Sequence, residues 1–282
     1  ELEHTDCYED LDDLKNAFLQ FCQSVPFYGE VILCADSSAV QEILPKIERP
    51  MTTYGQSRDA TYRADNLQFH ENNSTYSVYR SKDLLGEIQL CVPGEHNVLN
   101  SLAAVVLGLE MGISFETIQE GIATYQGVRR RFDIKGIYDD VMLVDDYAHH
   151  PTEVEATLKA AKAGWDRRII AVFQPHLFTR TQEFFREFAQ VLQIADEVII
   201  TDIYPAREKP IPGVTSALIY DECSKKLKNR CHSVPDLDDL EKFLDTLVKQ
   251  NDMVITLGAG SIWRYSESYA THLKTLVEGV KG

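Results

Sequence analysis

At 282 residues the chain is long enough for two domains and a sizeable core, and 44% hydrophobic with 26% charged residues is ordinary for a globular protein. Lys plus Arg is 28 and Asp plus Glu is 44, a net charge of −16, which argues against duplex nucleic acid or an anionic membrane as partner, since both demand clustered cations. No apolar run approaches the ~20 residues that span a bilayer. The start Glu1-Leu2-Glu3-His4 has no signal-peptide pattern, and the six cysteines form no CxxC pair, so they read as reduced thiols of a cytoplasmic protein.

Residues 8–22 carry apolar groups at Leu11, Leu14, Phe18 and Phe21 with acids crowded at the start, which predicts a helix. A short buried strand is expected at 31–35, then a helix capped by Asp36-Ser37-Ser38 that stops before Pro45. From 51 to 92 the pattern turns to β, with strand-like runs at 61–62, 67–69, 75–79 and 87–92 and a hairpin turn at Glu71-Asn72-Asn73-Ser74. This region reads as a small sheet excursion rather than a site.

Gly94-Glu95-His96-Asn97-Val98-Leu99-Asn100 opens an apolar helix over 103–111, and Ser114 caps another that runs to Tyr125. Asn97 and Asn100 are residues of the kind that cap helices. With His96, however, their i, i+3 and i+4 spacing allows one shared face, where amide and imidazole edges suit a planar heterocycle. Gly127-Val128-Arg129-Arg130-Arg131-Phe132-Asp133 then marks a boundary. Adjacent arginines are usually a solvated patch, but in so acidic a chain they also read as a phosphate clamp.

Beyond Tyr138, strand and helix alternate. Strands at 141–144, 168–173, 198–201, 231–234 and 253–257 lead into helices at 151–163, 181–194, 216–228, 236–249 and after Gly258-Ala259-Gly260-Ser261. Alternation of this kind means a parallel sheet wound with helices. The G-x-G turn lacks a third glycine, so it reads as a tight strand-to-helix turn with phosphate contact as the minor option. The densest chemistry follows the first of these strands, where Asp145, Asp146, Tyr147, His149 and His150 precede Pro151 and Thr152 at a helix start. Any one of them could be a cap or a satisfied core group, but a mere turn has no use for so many titratable side chains. Gln174-Pro175-His176-Leu177-Phe178-Thr179-Arg180-Thr181 and Asp202-Ile203-Tyr204-Pro205-Ala206-Arg207-Glu208 follow later strands, and parallel winding brings all these tips to one edge.

The stretches 94–100, 127–133, 144–153, 173–181, 203–208 with 210–213, and 257–260 together resemble the Mur ligases of peptidoglycan synthesis. Within them, D-D-Y-[GA]-H-H-P-T-E and Q-P-H-x-[FY]-[ST]-R-T favour the alanine-adding branch. The fold class implied is α/β: a C-terminal Rossmann-like parallel sheet wound with helices, preceded by a partial central ATPase domain with a small β excursion. Residues 1–128 would be the rear half of the central ATP-binding domain and 129–282 the C-terminal domain. No G-x-x-x-x-G-K-[ST] phosphate loop occurs in the sequence, so this chain is expected to be an incomplete and inactive portion of a ligase.

The activity implied is ATP-dependent joining of L-alanine to the carboxylate of UDP-N-acetylmuramate through an acyl phosphate, with ATP and Mg2+ as cofactors. By the same resemblance, His4 would bind magnesium, His96, Asn97 and Asn100 would face adenine, Arg131 would reach the phosphates and Asp146 the ribose. Tyr147, His149, His176 and Arg180 would bind and orient L-alanine, Arg180 by pairing with its carboxylate. Leu177 stands where some members carry a second Arg. The competing expectation is a non-catalytic binding module that keeps the fold.

Overall fold

The computed structural model describes residues 7–280. It divides the chain into two compact units, one ending at Tyr125 and the other beginning at Gln126, beside the expected division at 128/129.

In the first unit, α1 (Leu11–Gln23) starts at Asp10, whose side chain accepts the Asp13 N–H. β1 (Val31–Cys34) leads into α2 (Ser38–Ile43), capped by Ser37. β2 (Met51–Gly55), β3 (Tyr62–His70), β4 (Asn73–Arg80) and β5 (Asp83–Leu90) complete one five-stranded sheet in chain order. β1, β2 and β3 run parallel, whereas β3, β4 and β5 are joined antiparallel. The small β excursion expected over 51–92 is present, and its hairpins continue the sheet begun by β1. The pairing that joins them, Val31 beside Met51, is long-range and leaves no local pattern in the sequence.

One face of this sheet presents Tyr62, Ala64, Tyr76, Val78, Ile88 and Leu90. Against it lies α3 (Glu95–Glu110), with Val98, Leu102, Val105 and Val106 on a helical stripe. α3 begins at Glu95 rather than 103 because Gly94, at φ 96°, lets the chain turn directly from Pro93 into the helix. α4 (Phe115–Ala123), capped by Ser114, covers β5.

The second unit opens with β6 (Asp133–Tyr138) and β7 (Val141–Asp146), joined through Asp139 and Asp140, both at positive φ. There follow α5 (Pro151–Gly164), β8 (Arg168–Phe173), α6 (Phe178–Val191), β9 (Glu197–Ile200), α7 (Ala217–Leu227), β10 (Cys231–Ser233), α8 (Leu240–Leu247), β11 (Asp252–Leu257) and α9 (Ile262–Val280). The strand order is β10-β9-β8-β11-β7-β6, parallel except for β6, which pairs antiparallel with β7 at the edge. The expected parallel sheet is formed by β7 to β11, and β6 is added antiparallel at its edge.

Side chains alternate strictly across it. Met142, Val144, Ile169, Ala171, Phe173, Met253 and Ile255 face α5, α6 and α7, while Val141, Leu143, Ile170, Val172 and Val254 face α8 and α9. Strands hydrophobic on both faces are what a sheet covered on both sides requires. β11 lies between β7 and β8 with its Leu257 level with Asp146 and Phe173, so the three strands end together at one rim. All six cysteines are free, and among the described residues no helix is long and apolar enough to cross a membrane.

Candidate active site

β7 delivers two carboxylates to the rim on opposite faces. Asp145 is fully buried, between Thr256 Oγ1 at 2.8 Å and Arg130 Nε at 3.2 Å. Burial raises its pKa, while Thr256 and Arg130 pull it back. Asp146, 4% exposed, accepts the N–H groups of Phe132 and Ala148 at 2.8 Å and the Thr157 hydroxyl at 3.1 Å. Burial still pushes its pKa up to about 6. A carboxylate has about four acceptor positions, so those three bonds leave little of Asp146 for a ligand.

Past the strand, the side chains turn outward into one continuous set of ring contacts. Tyr147 lies edge-on to His149 with centroids 5.1 Å apart, and His149 edge-on to His176 at 5.7 Å. His176 stacks on Tyr204 at 5.8 Å, and Arg180 Nη1 is 3.4 Å from its Nδ1. The structure therefore brings Tyr147, His149, His176 and Arg180 together.

The hydrogen bonds assign the ring protons. A guanidinium only donates, so Nδ1 of His176 accepts from Arg180 and the neutral ring carries its proton on Nε2. His149 Nδ1 faces the Tyr147 carbonyl at 2.9 Å and Glu153 Oε2 at 3.1 Å, both acceptors, so it carries the proton and Nε2 is the acceptor of the neutral ring. Burial, then the neighbouring His149 and Arg180, lower the His176 pKa from 6.5 to about 4, which keeps that ring neutral at pH 7.

Glu153, in the first turn of α5, braces this side. Its Oε2 accepts the N–H of His149 at 3.0 Å and of His150 at 3.3 Å, and its Oε1 meets Arg131 at 3.2 Å. Burial raises its pKa, but the His149 N–H, His149 and Arg131 outweigh that and leave it below the usual carboxylate range.

The arginine triplet is not a three-cation clamp. Arg130, at φ 61°, folds inward to Asp145 and to the Gly258 carbonyl at 2.6 Å, with its guanidinium 4.7 Å above the Tyr147 ring. Arg131 points out, its side chain 53% exposed. The turn at Gly258 and Gly260 is a packing device. A Cβ on Gly258 would sit 2.7 Å from the Gln174 carbonyl, and one on Gly260 2.4 Å from Gln174 Oε1 and 2.5 Å from Tyr204 Cγ. Gln174 Oε1 in turn accepts the Ile262 N–H at the start of α9.

In the first unit, Asn97 and Asn100 line a cavity of about 330 Å3 with Leu90, Val92, Ser101, Ala104, Ile122 and Tyr125. His96, the third residue of the expected trio, is not among the residues lining it. The Asn97 amide donates to the Pro93 carbonyl at 2.7 Å. His4, the expected magnesium ligand, lies outside the described residues. Among these no group of three or more His, Cys, Asp or Glu gathers as a metal site.

The sequence reading placed Arg130 only within the arginine triplet and Tyr204 and Glu208 only within a strand-tip stretch, and it took Glu153 as an acid in a helix's first turn; the bracing contacts of these four were not foreseen.

Two family descriptions match the chain: "Mur ligase middle domain" over residues 1–108 and "Mur ligase, glutamate ligase domain" over residues 130–260. A UDP-N-acetylmuramate–L-alanine ligase of Geotalea uraniireducens is 43% identical over 99% of this chain and 60% of its own length. One of Salinibacter ruber is 46% identical over 97% of this chain and 58% of its own. The crystal structure of a UDP-N-acetylmuramate–alanine ligase from Thermotoga maritima superposes with a TM-score of 0.78 at 27% identity, covering 97% of this chain and 57% of that one. The chain thus spans about 60% of the length of the curated relatives it matches.

Proposed function

The chain belongs to the Mur ligase family, and on that premise we propose that it is the ATP- and amino-acid-binding portion of a ligase joining L-alanine to the carboxylate of UDP-N-acetylmuramate. The observation that carries this reading is the convergence of Tyr147, His149, His176 and Arg180 on one rim. Their chemistry is complementary to a small zwitterion. Arg180 and the His176 Nε2–H are donors suited to a carboxylate, and in its neutral form His149 would present Nε2 as an acceptor suited to an ammonium. Tyr147 packs edge-on against His149 at the same rim. With Leu177 where some relatives carry Arg, Arg180 is the guanidinium assigned to the alanine carboxylate.

A carboxylate is a poor electrophile, and ATP supplies the phosphoryl group that converts the muramyl carboxylate to an acyl phosphate. The residues present fit the nucleotide in part. The Asn97 and Asn100 amides border a cavity whose apolar wall suits adenine. Arg131 is proposed for the phosphates, and the remaining acceptor position of Asp146 for a ribose hydroxyl. The magnesium role rests on His4 alone, and no step is assigned to that ion.

The chain alone is proposed to bind ligands without turning over, since its sequence has no phosphate-loop motif. Phosphate release from ATP by the purified chain should stay at blank, and clear turnover would overturn that point. In a protein carrying the whole length of the relatives, Arg180→Ala should raise the alanine concentration for half-maximal rate at least tenfold while leaving that for ATP within about twofold, the asymmetry expected when one charge-assisted contact is lost. An unchanged alanine requirement would remove Arg180 from its role.

A further inference from the structure

We propose that Glu208 is a positioning residue of the amino-acid site, holding His176 and Arg180 in register from a different loop; this rests on the amino-acid reading of the rim. α6 begins after Leu177, which lies at φ 73° and supplies no side-chain cap. The first N–H groups of a helix have no partner within it. Here Glu208 Oε2 accepts those of Phe178 at 2.5 Å and Thr179 at 3.1 Å, and Oε1 accepts the Thr179 hydroxyl. The cap comes from the β9–α7 loop, whose own turn is closed by the Glu208 N–H on the Pro205 carbonyl at 2.9 Å, with Ala206 at φ 49°.

The same loop runs as a splint along the residues before α6. The Tyr204 N–H donates to the Pro175 carbonyl at 2.8 Å, and the Tyr204 carbonyl accepts the Leu177 N–H at 3.0 Å. The Tyr204 ring lies between His176, on which it stacks, and Gly260, where no side chain would fit. Leu177 is therefore held on both sides in a backbone conformation that a leucine keeps only when its surroundings impose it. His176 precedes that residue and Arg180 follows it within the first turn of α6, so the register of both depends on it. Glu208 also occupies the positive end of α6, so the anionic end of the ligand is left to Arg180 rather than to the helix.

The test uses the isotope-labelled 282-residue chain, with amide hydrogen exchange at Phe178 and Thr179, pH titration of the His176 ring and titration with L-alanine. Glu208→Ala should speed exchange at those two amides about fivefold, as loss of an N-cap does, leave the β7 and β8 amides unchanged, and weaken L-alanine binding severalfold. Glu208→Gln keeps the accepting oxygen and should restore most of the protection and the binding. Both variants lose a negative charge facing His176 and should lower its midpoint. Unchanged exchange in Glu208→Ala, or unchanged alanine affinity despite lost protection, would overturn the proposal. If the unsubstituted chain binds no L-alanine, the amino-acid reading falls, and the positioning role with it. The exchange contrast would still show whether Glu208 caps α6.

Discussion

At the start of α3 the first unit offers two neutral amides beside Leu90, Val92 and Ile122; at the tips of β7 and β8 the second offers two imidazoles, a phenol and a guanidinium. The amide site needs little support, since Asn97 is tied by one bond to Pro93. The charged rim is underpinned by Asp145, Asp146, Glu153 and Glu208, each bonded to backbone or to a cation. A flat uncharged ring can be read by donor and acceptor edges on one helix. A zwitterion a few ångströms long needs groups from two loops, and each loop must be held against its own electrostatics.

The sharpest way to break this contrast is Arg130→Ala. It leaves the buried Asp145 carboxylate without its cation, and loss of one partner of a buried pair costs about 3–5 kcal/mol. Denaturant unfolding should show that loss in the second unit only, and a loss below about 1 kcal/mol would mean that Arg130 does not brace the rim. Gly260→Ala comes next, at about 1–3 kcal/mol, because its methyl group must displace Tyr204 or Gln174. Weakened L-alanine binding should accompany it, measured by calorimetry.

The pH dependence is a finer probe. The His176 midpoint, read by NMR, should lie near 4 rather than 6.5. A histidine whose folded pKa is depressed adds stability that is present above its unfolded pKa and lost as pH falls through the folded one. His176→Asn should therefore flatten the stability slope of the second unit between pH 6.5 and 4. Asp146, raised to about 6, has the opposite sign: its contribution is full below 3.8 and lost as pH rises through 6. The smallest effect is expected from Asn100→Ala, about 0.5–1.5 kcal/mol of ADP binding for one neutral hydrogen bond, with alanine binding unaltered.

Much of this arrangement was legible in the sequence. Double-faced apolar runs announced buried strands, and their regular alternation with helices announced a wound sheet whose tips gather polar groups. Gly258 and Gly260 marked a tight turn, which the close approach of Gln174 and Tyr204 explains. What stayed hidden depends on backbone sign and on distant pairing. Three adjacent arginines look alike until Arg130 and Phe132 adopt positive φ and send one guanidinium inward. Glu208 caps a helix thirty residues away, and that contact exists only once two loops have folded side by side. The 51–92 strands were legible as strands, but their place in a sheet was set by partners that no local pattern names.

The most direct measurement is titration of the labelled chain with L-alanine while the ring signals of His149 and His176 are followed, with Arg180→Ala in parallel. Saturable shifts of both rings, lost or strongly weakened in the variant, are expected if the rim holds an amino acid by its carboxylate. Rings that do not move, or that move equally without Arg180, would contradict it.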